Sequence, residues 1–251
     1  MSDLVTVQGA VLSAMPIGEY DRRIVLLTRE RGKISAFAKG ARRLNSPFMA
    51  AASPFVFGTF SLYEGRSSYT LQSVQVSRQF ISLASCYPGI YYGYYFAEIA
   101  DYFGREGTDE KEMLNLLYAA FWALSRPEAD NRLIRCAFEL RAMAEQGMMP
   151  RLSACVFCGR APSGQSGWSF SQEEHGLVCP ECSKKVRERM RPVSYTAVYA
   201  MQYIVSAPME KLFSFTLGEE ALKDLEGCVS VYMARNTDRK FKSLQILESV
   251  L

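Results

Sequence analysis

The sequence predicts an α+β chain of more than one domain: a five-stranded β-barrel at the N-terminus, then an α-helical part that carries a cysteine-rich module. Three observations lead there. Short β-branched and alternating segments fill residues 1–80, the apolar period turns helical from Pro88 onward, and two Cys-x-x-Cys pairs interrupt the helical part. A length of 251 residues suits one large domain or two smaller ones.

The strands come first. Residues 4–13 are short and β-branched, and Pro16 to Asp21 reads as a turn-rich break. Arg22 to Thr28 is a strand with an apolar centre, and Arg31-Gly32 is a tight turn in which Gly32 is free to take positive φ. Lys33 to Lys39 is the returning strand, and residues 40–54, small, polar and punctuated by proline, read as loop. In Phe55 to Tyr63 the apolar phase shifts across Gly58, as a bulge at a barrel corner would make it do. Tyr69 to Val76 completes the fifth strand. Five short strands in so few residues suit a small closed barrel, and an open five-stranded sheet fits the same periodicity.

The helices follow. Residues 88–104 are dense in aromatics, with Tyr87, Tyr91, Tyr92, Tyr94 and Tyr95 followed by Phe96, Tyr102 and Phe103. Aromatics at helical spacing are more often packing surface than stacking platforms for bases. Residues 109–124 set Met113, Leu116, Leu117, Ala120, Phe121 and Leu124 on one stripe, with Asp109 and Glu112 at the start and Arg126-Pro127 at the end. A helix over 130–147 closes at Gly147 and Pro150. Ser194 opens another to about Val205, broken by Pro208. Thr216 and Glu219 have the spacing of a capping box ahead of a helix with Leu222, Leu225, Val229, Tyr232 and Met233 on one face. The expected domains are 1–80, then 81–150 together with 193–251, and an insertion at 151–192.

Composition excludes several classes. At 49% apolar and 22% charged residues the chain is an ordinary globular one, not a disordered one. No long uncharged apolar stretch and no basic leader with an apolar core is present, so a cytoplasmic protein without a membrane span is expected. A single histidine, His175, removes most hydrolytic chemistry built on imidazole. The net charge of +3 is unevenly spread: residues 1–80 hold ten basic and five acidic side chains, and 151–192 hold seven and four. The segments 81–150 and 193–251 lean acidic. Clustered positive charge argues for a polyanionic partner, with a solvated face as the plain alternative.

Cys155, Cys158, Cys179 and Cys182 form two Cys-x-x-Cys knuckles 20 residues apart, a spacing that predicts one structural zinc ion per chain. Trp168 and Phe170 are expected to pack the small core between them. Lys184, Lys185, Arg187 and Arg189 follow, and nearby positive charge favours thiolates. Disulfides would need an oxidising compartment, which the missing leader argues against. Four thiolates leave no open position for water or substrate, so the role is structural rather than catalytic. Cys86, Cys136 and Cys228 sit among apolar neighbours and read as small buried hydrophobes.

Lys39-Gly40-Ala41-Arg42-Arg43 follows the third strand and, with Arg22, Arg23, Arg29, Arg31 and Lys33, loads one end of the chain with cations. Long cationic side chains on accessible loops are what phosphate contacts require. The order Pro16-x-Gly18-Glu19-x-Asp21, Leu26-Leu27-Thr28-x-Glu30-x-Gly32-Lys33, Ala38-Lys39-Gly40-Ala41-Arg42-Arg43, Phe138-Glu139-Leu140-Arg141, Gly147-x-x-Pro150 and the two knuckles with Phe170-Ser171 between them closely resembles the bacterial recombination mediator family RecO over nearly the whole chain. The resemblance implies an N-terminal OB-fold, an α-helical domain and a four-cysteine zinc module. It also implies binding of single- and double-stranded DNA, annealing of complementary strands, and action with RecR to load RecA on DNA coated by single-strand DNA-binding protein, whose tail would sit in the helical region. Arg22, Arg23, Lys33, Lys39, Arg42 and Arg43 are the expected DNA-binding residues. No catalytic residue is expected.

One departure stands at the end. Where the family often reads Gly-Arg-x-Leu-Lys-Ser-Arg, this chain has Asn236 to Gln245 without the glycine and the final arginine, while Arg239, Lys240 and Lys242 keep the charge. Two other classes compete: a nucleic-acid-processing enzyme with an accessory barrel, and an RNA-binding or adaptor protein. The enzyme would need clustered carboxylates for magnesium. The basic segment offers only Asp3, Glu19, Asp21, Glu30 and Glu64, and no phosphate-binding loop motif occurs.

Overall fold

A computed structural model describes residues 3–66, 68–164, 167–187 and 190–251. Contacts divide the chain into two units, Met1–Pro127 with Phe241–Leu251, and Glu128–Lys240.

In the first unit, strands β1 (Leu4–Ile17), β2 (Asp21–Thr28), β3 (Gly32–Ala38), β4 (Val56–Glu64) and β5 (Tyr69–Gln79) close into a barrel in the order β1-β2-β3-β5-β4. Every neighbouring pair is antiparallel except β3 with β5. Closure settles the choice between barrel and open sheet and gives the OB-fold arrangement. Period-2 alternation sends Ile24 and Leu26 of β2, Ile34 and Ala36 of β3, and Phe60 and Leu62 of β4 into the barrel core with Val7, Val11 and Leu71.

Two expectations for the strands need correction. Strand β1 does not end near residue 13 but continues through Pro16, which stands opposite Arg22, to Ile17. The strand bends at a register shift between Val11 and Ser13, and a proline near a strand end costs little pairing. The segment 40–54 is not all loop, because Phe48–Ala51 forms a helical turn, α1; Ala41 and Ala52 join the barrel core and Phe48 packs on it. The bulge at Gly58 is present, with the β4–β5 register shifting between Phe57 and Gly58. A Cβ at Gly58 would stand 2.5 Å from the Gln75 carbonyl oxygen, so only glycine lets the strands pass. Gly32 opens β3 at φ 65°.

Helices α2 (Ile81–Ala84), α3 (Gly89–Phe103) and α4 (Lys111–Leu124) complete this part. The aromatic helix α3 is mainly packing surface: Tyr92, Tyr95, Phe96 and Phe103 are buried and Tyr94 is exposed. All six residues of the α4 stripe are buried. Asp109 sits one residue before the N-cap Glu110, its Oδ1 accepting from the Lys111 N–H at 2.9 Å.

The second unit holds α5 (Asn131–Glu145), β6 (Ser169–Ser171), β7 (Gly176–Val178), α6 (Pro180–Ser183), β8 (Arg191–Pro192), α7 (Tyr195–Ser206) and α8 (Glu219–Asn236). Asp130 caps α5 by accepting from the Arg132 and Leu133 N–H groups, and Ser194 caps α7 through the Ala197 N–H. The expected capping box at Thr216 does not form. Helix α8 starts at Glu219 behind Gly218 with no side-chain cap. The Glu219 carboxylate instead accepts from Arg132 at 3.1 Å, and Glu226 accepts from the same guanidinium at 2.5 Å. The arginine, bonded to two carboxylates of α8, clamps α5 to α8.

The last helix, α9 (Lys242–Val250), returns to the first unit and runs along α3. Phe241 meets the rings of Tyr95 and Tyr102, and Glu98 caps the helix by accepting from the Lys242 N–H, the Ser243 N–H and the Ser243 hydroxyl. Among the described residues no helix is long and apolar enough to cross a membrane.

Candidate nucleic-acid interface and metal centre

The basic interface is built from two turns fastened together. The β1–β2 turn, Gly18 to Tyr20, and the segment after β3, Lys39 to Arg43, meet because Asp21 Oδ1 accepts from the Gly40 N–H at 2.7 Å and the Arg42 N–H donates to the Tyr20 carbonyl at 2.8 Å. Gly40 takes φ 68°, a turn that few side-chain-bearing residues adopt. Arg42 Nη1 reaches back to the Gly18 carbonyl, and the Arg43 guanidinium lies over the Tyr20 ring, 5.1 Å from its centroid. Asp21 is thereby spent on holding a loop.

The six predicted residues divide into two groups. Lys39, Arg42 and Arg43 are exposed on this fastened pair of turns. Arg23 is exposed on the adjoining face of β2, its Nε donating to Ser35 Oγ at 2.7 Å and the rest of its guanidinium open. Arg22 points the other way and donates to the Met49 and Ala52 carbonyls and to Ser53 Oγ, holding the end of α1. Lys33 donates to the Asp101 carbonyl and pairs with its carboxylate at 3.5 Å. The structure therefore leaves four of the six exposed, three of them with one intramolecular contact each, and draws the other two, Arg22 and Lys33, half-buried onto intramolecular partners.

Sequence reasoning missed Tyr20 and Phe37. Tyr20 is 44% exposed beside Arg43. Phe37 stands opposite Arg23 in the β2–β3 register, on the outer face because Ala36 and Ala38 point into the core. The signal was available: an aromatic at the odd position of an alternating strand lies outside.

In the second unit, the β6–β7 hairpin brings the two knuckles together. The Sγ atoms of Cys155, Cys158, Cys179 and Cys182 all lie within 4.8 Å of one another, with Cys158 and Cys179 at 3.6 Å. Four sulfurs around an ion at the usual zinc–sulfur length stand about 3.8 Å apart, so the cluster has the size of a tetrathiolate metal site. Trp168 and Phe170, between the two knuckles in the chain, are buried, and Phe170 meets the Tyr232 ring. Burial opposes ionisation of Cys155, but the N–H groups of Cys179, Cys158 and Phe157 converge on its sulfur and hold its pKa at about 6, below the ordinary 9.0. Desolvation and three neighbouring thiols push Cys182 up to about 12, an opposition that a divalent cation removes.

Lys184, Lys185 and Arg187 are exposed beyond the second knuckle, and Arg189 lies outside the described residues. His175 stands at the hairpin turn with its ring near Tyr232, away from the sulfurs. Cys136 and Cys228 are buried, as expected; Cys86 is half-buried, its Sγ 3.6 Å from the Leu124 carbonyl.

Comparison with known proteins agrees over the whole chain. Residues 1–80 match the family described as recombination protein O N terminal, and residues 87–245 match recombination protein O C terminal. DNA repair protein RecO of Alkaliphilus metalliredigens strain QYMF is 30% identical over 248 residues, covering 98% of this chain and all of that protein. DNA repair protein RecO of Anaeromyxobacter dehalogenans strain 2CP-C is 32% identical over 250 residues, 99% of this chain and 97% of that one. The protein of that name from Symbiobacterium thermophilum is 29% identical over 248 residues, 98% of each chain. The chain belongs to the recombination protein O family, RecO.

Proposed function

We propose that this chain is a non-enzymatic recombination mediator of the cytoplasm: it binds single- and double-stranded DNA, anneals complementary strands and, with RecR, helps load RecA on DNA coated by single-strand DNA-binding protein. The observation that carries the reading is the fastened pair of turns with Lys39, Arg42 and Arg43 exposed beside Arg23, Tyr20 and Phe37 on an OB-type barrel. Cations on such loops neutralise phosphates of both strands, release counterions and reduce strand–strand repulsion, while Tyr20 in the β1–β2 turn and Phe37 on β3 accept bases. Arg22 and Lys33 add to the local field from behind their intramolecular partners. Family membership supports the repair role, since the relatives carry the name DNA repair protein.

The same reading divides the labour: residues 1–80 contact DNA, residues 81–150 and 193–251 recruit RecR and the tail of single-strand DNA-binding protein, and 151–192 form a ribbon held by one zinc ion. Cys155, Cys158, Cys179 and Cys182 would hold that ion, and the sulfur spacing and the N–H groups aimed at Cys155 fit a tetrathiolate. The ion supplies structural stability; the residues around it need do no chemistry. The deciding experiment is anisotropy of labelled single strands across a salt series, with linear log–log weakening expected. A salt-independent affinity would end the electrostatic mechanism.

A further inference from the structure

A second basic and aromatic site lies within the first unit, away from the fastened turns. A cavity of about 310 Å³ opens between the outer faces of β1, β4 and β5 and helix α4. Arg29 and Lys111 flank it, Phe57 and Tyr118 wall it, and Asn115 and Thr59 offer polar atoms. Its floor is bare backbone, because Gly9 and Gly58 face each other across the β1–β4 pair. A Cβ on Gly9 would stand 2.4 Å from the Leu27 carbonyl oxygen, so strand curvature and the open floor come together.

Four side chains of α4 share the stripe that borders this space: Lys111, Asn115, Tyr118 and Trp122, at spacings of four, three and four. Tyr118 rests edgewise on Phe57 and Phe80 at 5.3 Å yet stays 40% exposed, and Trp122 is 49% exposed beneath the Arg78 guanidinium at 4.8 Å. Arg29 and Lys111 are exposed, and among the described residues neither head group has an ion-pair partner. Of the acidic groups close to them in sequence, Glu30 accepts from the Gln8 N–H and Asp109 from the Lys111 N–H, while Glu112 is exposed next to Lys111.

We propose that this cleft is a second single-strand site that takes one unstacked nucleotide, its base against Tyr118 and its phosphates between Arg29 and Lys111, with the strand running on toward Trp122 and Arg78. The volume admits one splayed base and not a duplex, and rings with cations at strand spacing are how single strands are held without sequence preference. The proposal rests on the reading that the chain handles single-stranded DNA. It gives annealing a second foothold, so that two strands, or two parts of one, are held at once.

The test uses the full chain and a thymidine oligonucleotide carrying 5-iodo-deoxyuridine at one position, cross-linked by light and mapped by peptide mass spectrometry. Cross-links are expected in residues 111–124 as well as in the 18–43 region. Those in 111–124 should persist in the Lys39→Ala, Arg42→Ala, Arg43→Ala protein. Arg29→Glu with Lys111→Glu, both surface changes whose folding is checked by circular dichroism, should lower the 111–124 cross-link more than tenfold and spare the other. Tyr118→Ala should weaken single-strand affinity by about five- to a hundredfold, and Tyr118→Phe should not.

Cross-links confined to residues 18–43 overturn the cleft and leave the proposed function standing, whereas no cross-link anywhere sinks both. Displacement from the cleft by an acidic peptide but not by unlabelled oligonucleotide would make it a peptide site and overturn the proposal. So would displacement by thymidine monophosphate as effective, per nucleotide, as the oligonucleotide.

Discussion

Replacing Lys39, Arg42 and Arg43 by alanine removes three exposed cations from the two fastened turns and leaves Arg23 in place. The turns themselves should survive. The Asp21–Gly40 bond and the Arg42 N–H to Tyr20 carbonyl bond involve no atom that the substitutions delete. What goes is one hydrogen bond to Gly18 and one cation–π contact, each worth about 1 kcal/mol or less at an exposed site. DNA affinity responds differently. Each phosphate neutralised on a single strand contributes about 0.7 to the slope of log affinity against log salt. Losing three contacts therefore flattens that slope by about 2 and lowers affinity about a hundredfold at 0.1 M salt. Anisotropy of a labelled oligonucleotide between 50 and 400 mM salt, roughly the range over which such slopes are measured, reads both numbers. Thermal unfolding of the same variant checks the fold. An unchanged slope in a folded variant would refute the assignment of phosphates to these turns.

Three more outcomes follow from the same structure. Elemental analysis should find about one zinc per chain, and Cys179→Ala or a strong chelator should remove it and red-shift emission from the buried Trp168 as the 151–192 segment opens. Burial pushes Cys228 up to about 12, above the 9.0 of a free thiol. Its contribution to stability is therefore whole below pH 9 and is lost as pH rises from 9 toward 12, by up to about 4 kcal/mol; denaturant midpoints against pH should fall in that window, and Cys228→Ala should flatten the fall. Glu98→Ala removes the carboxylate that caps α9 and should cost about 1–3 kcal/mol, with hydrogen exchange over 242–250 accelerating before the barrel strands respond; equal acceleration everywhere would contradict a local strap.

Much of this was legible in residue order, and the parts that were not have physical causes. Alternation around Ile24, Leu26, Ile34 and Ala36 places the barrel core because a strand has only two faces, and Gly58 marks its bulge because no other residue fits against Gln75. The four cysteines were legible because knuckle spacing constrains geometry locally. Three features depended on partners distant in sequence. Arg22 and Lys33 look like free cations until α1 and Asp101 arrive beside them. The capping box at Thr216 fails because the helix starts at Glu219 behind Gly218, and Arg132, 87 residues away, takes the Glu219 carboxylate. The cleft beside α4 needs Gly9 and Gly58 to pair across β1 and β4, which no local pattern announces.

The central claim, that this chain mediates pairing of coated single strands, meets its most direct test in an annealing assay. Two complementary oligonucleotides, each saturated with single-strand DNA-binding protein, are mixed with the chain and duplex formation is followed by fluorescence. Wild type is expected to speed annealing well above the uncatalysed rate, and the Lys39→Ala, Arg42→Ala, Arg43→Ala protein to lose at least tenfold of that acceleration at 0.1 M salt, as the counterion arithmetic requires. No acceleration by the wild-type chain would contradict the account.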